Sequence, residues 1–457
     1  MLAFLLLTSS VIRFVGQQAA ARATDAPDIV FVLSDDMNSD DWRSLPRTSA
    51  LLNAAFPNYI NTDALCCPSR ASILTGLYPH NHGTWFIDPV PGGGGGWASF
   101  QDRETATIAT MLHKAGYRTA LIGKYLNNYK LQAGKRPGWD YWFAFDTPPR
   151  YYRFQVSEGS KVRTIRGYST DVVASKAQAF VRSSSGSAPI FAYIAPKPPH
   201  APPIPPKRYA EDCRNEPLPA MDKPSFRVPI VDGPPYLQSQ VSEAQLAELV
   251  RFDQKRQCAL KALDDLIVDV HAALEKRGRP YYLFVASDNG YLLGEHGGVG
   301  KRAPYDESTR TMMRATSGGG APAITGSDHL VANIDWMATF AELSGATPPY
   351  QTDGQSLLTG PARELVVIEG EEAPSQRSGR SGEWAARVGE SYETPSFRGL
   401  HVATGELYVE YADGFVEYYA ADDPYRLRNA RSDDPERVSE LAALLQRYRD
   451  CRAALCP

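Results

Sequence analysis

Asp28-Ile29-Val30-Phe31-Val32-Leu33-Ser34-Asp35-Asp36 joins a nearly unbroken apolar run to two adjacent carboxylates. A run this short and this rich in β-branched and large apolar residues predicts a strand covered on both faces. Residues 117–122 (YRTALI), 189–195 (PIFAYIA) and 281–287 (YYLFVAS) share the pattern. Helical spacings lie between them, with Ile108, Met111 and Leu112 in residues 105–115 and a second pattern over 169–181. A long one over 241–276 carries Leu246, Leu249, Leu263, Leu266 and Val270. Strands alternating with helices predict an α/β protein whose large mixed, mostly parallel sheet is sandwiched by helices.

Each of these strands runs into polar residues: Asp35-Asp36, Gly123-Lys124, Lys197-Pro198-Pro199-His200 and Asp288-Asn289-Gly290. Ligands of open α/β sheets bind at the carboxyl ends of strands, so the four segments predict one site at one edge. Any one of them could be a turn or a cap; four together point to chemistry. Asp35, Asp36, Asp288 and Asn289 form an all-oxygen set, suited to a hard cation such as Ca²⁺ or Mg²⁺. Adjacent buried carboxylates without a cation would repel.

Cys66-Cys67-Pro68-Ser69-Arg70 supplies a nucleophile. Pro favours the first position of a helix, which predicts a start at Pro68 with Cys66 just outside it. Orphan backbone N–H groups and the positive dipole end there attract anions. Arg70, a turn further on, adds a forked cation suited to sulfate or phosphate. A thiol, an anion hole and a guanidinium within a few residues predict attack on a tetrahedral anion. A vicinal pair of structural thiols is the bland alternative.

With Leu74-Thr75-Gly76 downstream, this run resembles the signature of the formylglycine-dependent sulfatases of the alkaline-phosphatase-like superfamily. The resemblance implies that Cys66 is oxidised to formylglycine by a formylglycine-generating enzyme. It implies a divalent ion, usually calcium, on Asp35, Asp36, Asp288 and Asn289 that also contacts residue 66. Lys124 and Lys301 match the family's sulfate-binding lysines, and His200 matches the general acid near the leaving oxygen. Many relatives carry a His two residues after the first of these lysines; here Leu126 stands there, followed by Asn127, which cannot be a base. His80, His82 and His296 are the candidates left for the base that takes the second hydroxyl's proton from hydrated residue 66, expelling sulfate and restoring the aldehyde. Within the family the likeness is to N-acetylglucosamine-6-sulfatases, through His80-Asn81-His82, Gly123-Lys124-Tyr125-Leu126-Asn127, Ala421-Asp422-Asp423-Pro424-Tyr425 and the closing Cys451 and Cys456. It implies a sulfated carbohydrate substrate, with 6-O-sulfated N-acetylglucosamine in a glycosaminoglycan-type glycan favoured. A phosphonate monoester or phosphodiester hydrolase, or an inactive sulfated-glycan-binding protein, are the rival readings. One stretch departs from the family: residues 316–320 (TSGGG) replace an apolar strand.

The chain has 457 residues, 43% of them hydrophobic and 22% charged, enough for a large domain and an appendage. A net charge of −4 gives no reason to expect nucleic acid or an anionic membrane surface as partner. Residues 1–23 combine an apolar run with small residues, as a secretory signal does. No later segment is long and apolar enough to span a membrane, so a secreted, periplasmic or lysosomal enzyme is expected. Cys213, Cys258, Cys451 and Cys456 form an even set for such a compartment, read as Cys213 with Cys258 and Cys451 with Cys456, a connectivity sequence does not fix; free buried thiols are the other reading. Residues 24–362 are taken as the catalytic domain and 363–457 as a smaller α+β subdomain. The latter would hold a hairpin over 407–419 turning at Asp413-Gly414 and a terminal amphipathic helix over 434–451. Residues 85–97, with five glycines at 92–96, and 145–164 are read as loops carrying specificity.

Overall fold

Every residue of strand β1 (Asp28–Ser34) is buried, and its side chains alternate between two cores. Ile29, Phe31 and Leu33 join one apolar cluster, and Val30 and Val32 the other. Burial on both faces is what its continuous apolar run requires. The structure, a computed structural model, describes residues 26–184, 188–237, 241–372 and 392–457. The expected signal segment therefore lies outside the described residues.

The remaining strands of the main sheet are β2 (Ala54–Ile60), β3 (Arg118–Gly123), β4 (Tyr141–Phe145), β5 (Tyr152–Glu158), β6 (Lys161–Tyr168), β7 (Ile190–Ala195) and β8 (Tyr281–Ser287). A short pair, β9 (Leu292–Leu293) and β10 (Val299–Gly300), stands apart, and β11 (Arg310–Gly318) and β12 (Val331–Ala332) complete the sheet. Its order is β12-β2-β11-β8-β1-β7-β3-β4-β5-β6. The central strands β8, β1, β7, β3 and β4 are parallel, with β11 antiparallel on one flank and β5 and β6 on the other. The four strands read from sequence are thus neighbours. β1 and β8 pair residue for residue from Asp28↔Tyr281 to Ser34↔Ser287, which brings Asp35 beside Asp288.

Helices α1 (Cys66–Thr75), α2 (Ile108–Lys114) and α5 (Trp336–Ser344) contribute to the first core, α3 (Ser169–Ser183) and α4 (Glu243–Arg277) to the second. Phe31 and Trp336 meet at 4.4 Å between ring centroids, in a cluster where truncation to alanine costs about 3–5 kcal/mol. The 35-residue α4 is capped by Ser242, which accepts from Gln245 N, and by Gly278 in the left-handed region. From it Arg256 donates to the Asp36 carbonyl at 3.0 Å, bracing the end of β1.

Two expectations are corrected. Residues 316–320, read as replacing the family's apolar strand, are themselves strand as far as Gly318, where β11 ends after pairing with β8. A Cβ on Gly318 would collide with the Tyr281 ring, so glycine is what lets the strand lie there. Residues 145–164 are not a loop but largely the β5–β6 hairpin.

Strands β13 (Leu365–Gly370), β14 (Phe397–Val402), β15 (Leu407–Tyr411) and β16 (Val416–Tyr419) form a separate antiparallel sheet. The hairpin turns at Asp413-Gly414, and Leu441 and Leu445 of α6 (Pro435–Tyr448) pack on the sheet's core. Disulfides join Cys213 to Cys258 and Cys451 to Cys456, and Cys66 and Cys67 are free and buried. Among the described residues no helix is long and apolar enough to cross a membrane.

Candidate active site

Asp36 takes a left-handed backbone conformation (φ 66°), which Asp tolerates better than most residues. Its N–H donates to Asp288 Oδ1 at 3.2 Å, and Asn289 Nδ2 donates to Asp36 Oδ1 at 2.7 Å. All four residues from the ends of β1 and β8 are buried. At the end of β3, a Cβ on Gly123 (φ 122°) would overlap the Ala195 carbonyl. Glycine permits that approach, and Lys124 N donates to Ala195 O at 2.8 Å. Lys124 Nζ then donates to Asp35 Oδ2 at 2.7 Å.

Helix α1 begins two residues earlier than the sequence suggested. Leu65 is its N-cap, its carbonyl accepting from Ser69 N at 3.0 Å, so Cys66 is the first helical residue and Pro68 the third. Pro is tolerated there because that N–H has no intrahelical acceptor. Cys66 still lies at the positive end of the dipole. Its Sγ accepts from Lys301 Nζ at 2.8 Å and lies 3.5 Å from Asp35 Oδ1 and 3.9 Å from Asp36 Oδ1. Lys301 Nζ also donates to Asp36 Oδ1 at 2.6 Å. Arg70, with no exposed surface, donates through Nε to Asp288 Oδ2 at 2.8 Å and through Nη1 to the Lys124 carbonyl at 3.1 Å. Its Nη2, 3.8 Å from Asp35 Oδ2, has no hydrogen-bond partner.

His200 is the partly open member, with a side chain 21% exposed and Nε2 3.7 Å from Asp36 Oδ2. Its Nδ1 lies 2.6 Å from Ala201 O, an acceptor only, so the proton sits on Nδ1 and Nε2 faces the carboxylates. Burial, opposed by Asp35 and Asp36, lowers its pKa to about 4.

Three buried carboxylates thus face three buried cations. Burial alone would keep Asp35 and Asp36 neutral. Lys124, His200, Arg70 and Lys301 instead hold Asp35 well below the usual range, and Lys301 and His200 bring Asp36 to about 2. Burial outweighs Arg70 at Asp288 and raises it to about 6. The lysines remain charged, since Asp35 and Asp36 overcome the cost of burying them. Burial, against Lys124 and Lys301, pushes the Cys66 thiol far up.

The donor set fits a hard divalent cation. Carboxylate oxygens of Asp35 and Asp36 lie within 4.8 Å of one another, and Asn289 Oδ1 is buried without a partner. Three carboxylates and an amide oxygen are the donors such ions take.

Four sequence candidates make none of the hydrogen bonds described above. His80 pairs with Glu369 through Nδ1 and with the Cys451 carbonyl through Nε2 at 2.8 Å, and stacks on Tyr78. His82 accepts from Thr84 N at 3.0 Å, so its Nε2 carries the proton shared with Ser72 Oγ at 3.0 Å; burial depresses its pKa to about 3. His296 is buried against the Tyr305 ring with no hydrogen-bond partner on Nδ1 or Nε2 among the described residues, and burial lowers its pKa to about 4 despite Glu295. The Asn127 backbone accepts from Trp97 N and faces the Cys67 thiol. Lys197 has no role in the sequence reading. It is 2% exposed and 3.4 Å from His200 Nδ1.

A model of the sulfatase family matches residues 27–346, and the chain belongs to that family of sulfuric ester hydrolases. The family implies a formylglycine and a divalent metal. Among relatives, the N-acetylglucosamine-6-sulfatase of Capra hircus is 30% identical over 97% of this chain and 87% of its own. A solved protein in complex with its substrate, D-glucosamine-2-N,6-O-disulfate, superposes with a TM-score of 0.72 at 20% identity, covering 92% of this chain and 97% of that one. The phosphonate monoester hydrolase of Agrobacterium radiobacter shares the alkaline-phosphatase-like fold, with a TM-score of 0.66 at 18% identity over 92% of this chain and 95% of its own.

Proposed function

We propose that this sulfatase removes sulfate from 6-O-sulfated N-acetylglucosamine in a glycosaminoglycan-type glycan. The observation that carries the chemistry is the convergence of Cys66, Arg70, Lys124, Lys301 and His200 on Asp35, Asp36 and Asp288. The substrate rests on the name of the Capra hircus relative and on the disulfated glucosamine of the structural neighbour.

A thiol held protonated by burial is a poor nucleophile, which favours conversion of Cys66 to formylglycine by a generating enzyme. When present, the hydrated formylglycine supplies the attacking hydroxyl, and the cation on Asp35, Asp36, Asp288 and Asn289 (calcium, or magnesium) supplies a Lewis acid to the sulfuryl oxygens. Arg70 through its free Nη2, Lys124 and Lys301 bind those oxygens and stabilise charge as it develops. The anionic sulfate favours a proton on His200 Nε2, opposite the fixed Nδ1–H. That proton passes to the departing sugar oxygen. His200, then neutral, is the base left in reach for the release step.

In the same proposal residues 1–23 are a secretory signal, 24–362 the catalytic unit and 363–457 the subdomain, in a secreted, periplasmic or lysosomal protein. The test is a peptide mass across residue 66 from a maturation-competent host, followed by turnover of N-acetylglucosamine 6-sulfate and of a phosphonate monoester. Thiol-to-aldehyde conversion confined to Cys66, with preference for the sulfated sugar, is expected. An unmodified Cys66 in an active preparation, or preference for the phosphonate, refutes it.

A further inference from the structure

Lys197 is a buried cation beside the site that no step above uses. Among the described residues its ammonium is held without a carboxylate. It donates to the Ala201 carbonyl at 2.9 Å, touches His200 Nδ1 at 3.4 Å and lies 4.9 Å from the centre of the Tyr151 ring. Burial lowers its pKa to about 8 despite Asp35, which shows what placing a charge there costs.

The geometry gives that charge a purpose. Ala201 O accepts from two donors, His200 Nδ1 and Lys197 Nζ. With its two lone pairs both used, this carbonyl has little freedom to turn away. The surrounding chain closes the same ring of contacts: His200 N donates to the Lys197 carbonyl at 3.0 Å, and Tyr151 OH donates to the His200 carbonyl at 3.1 Å. Asp35 N donates to Pro198 O at 3.3 Å, tying the loop to β1. The carbonyl that selects the His200 tautomer is thus itself fixed by Lys197.

We infer that Lys197 is a positioning residue for His200: by anchoring Ala201 O it keeps the proton on Nδ1 and Nε2 aimed at the leaving-group oxygen. The inference rests on the assignment of His200 as the acid. Lys197 does not touch the reacting atoms and acts only through the imidazole.

The substitution Lys197→Met keeps the length of the side chain and removes the donor. It is measured in the matured enzyme on N-acetylglucosamine 6-sulfate, whose alkoxide needs a proton, and on para-nitrophenyl sulfate, whose phenolate leaves unaided. Misplacing a general acid costs on the order of 10- to 100-fold, so kcat on the sugar falls by that factor. KM on both substrates and kcat on the aryl sulfate hold within about threefold, since uniform binding is untouched. In a His200→Ala background the same substitution adds no further loss, because the two act as one unit. Equal losses on both substrates, or a loss that adds to that of His200→Ala, overturn the inference. A His200→Ala enzyme that loses both substrates equally overturns the acid assignment instead. If thermal melting shows Lys197→Met unfolded, Lys197→Leu, which also fills the space without a donor, is read in the same way.

Discussion

Replacing His80 by alanine should cost stability and leave the chemistry intact. His80 Nδ1 pairs with Glu369, its N–H donates to Glu369 Oε2 at 3.2 Å, and Nε2 bonds the Cys451 carbonyl at 2.8 Å. The side chains are 8% and 0% exposed, so alanine leaves a buried carboxylate without its cation. Breaking such a pair costs about 3–5 kcal/mol. An unfolding entropy of about 2.1 cal/mol/K per residue over 457 residues gives about 1 kcal/mol per degree, hence a fall in Tm of about 3–5 °C. Burial opposes protonation of His80, but Glu369 wins and raises its pKa above the ordinary value. The stabilisation is therefore fully present below about pH 6.5 and is lost as pH rises through the raised folded value. The difference in Tm between wild type and His80→Ala should narrow across that upper range. Calorimetry across pH, with kcat measured well below Tm, is the assay. A hundredfold loss of kcat at unchanged Tm would refute the reasoning and return His80 to the reaction as a base.

Lys301→Met removes a donor to both Asp36 and residue 66, so kcat/KM should fall about 10²–10³-fold on alkyl and aryl sulfates alike; a loss confined to alkyl sulfates contradicts its role as an anion binder. Burial, against donation from Tyr411, Tyr419 and Tyr305, raises Glu417 to about 7, so the folded state holds an extra proton between about pH 4.5 and 7. Stability should fall by roughly 3 kcal/mol as pH rises through that window, and Glu417→Gln should flatten the slope; an unchanged slope rules the group out. Gly318→Ala drives a methyl into the Tyr281 ring and should lower stability by about 1–3 kcal/mol, read as a lower urea midpoint at constant slope; an unchanged midpoint would show that the ring moves aside freely.

The central sheet was legible because β1, β3, β7 and β8 are buried on both faces, and that burial writes itself into consecutive apolar residues. The flanks carry no such mark. β6 is an edge strand whose exposed Lys161 and Arg163 read as loop, although charge is how an edge avoids pairing with another chain. β2 was hidden by Pro57, which argues against a central strand; the register of its partner β11 shifts between Thr311 and Met313, opposite that stretch, and accommodates it. The same distinction governs the site. Asp35, Asp36, Lys124, Asp288 and Asn289 are readable because each follows a buried strand, so local sequence fixes where its backbone goes. His80 is not, since its partners Glu369 and Cys451 lie 289 and 371 residues away and nothing near it in sequence names them. Lys197 falls between these cases. Its strand places it at the site, but its use depends on the Ala201 carbonyl and the Tyr151 ring, and only tertiary packing turns an ordinary lysine into a buried charge worth its desolvation.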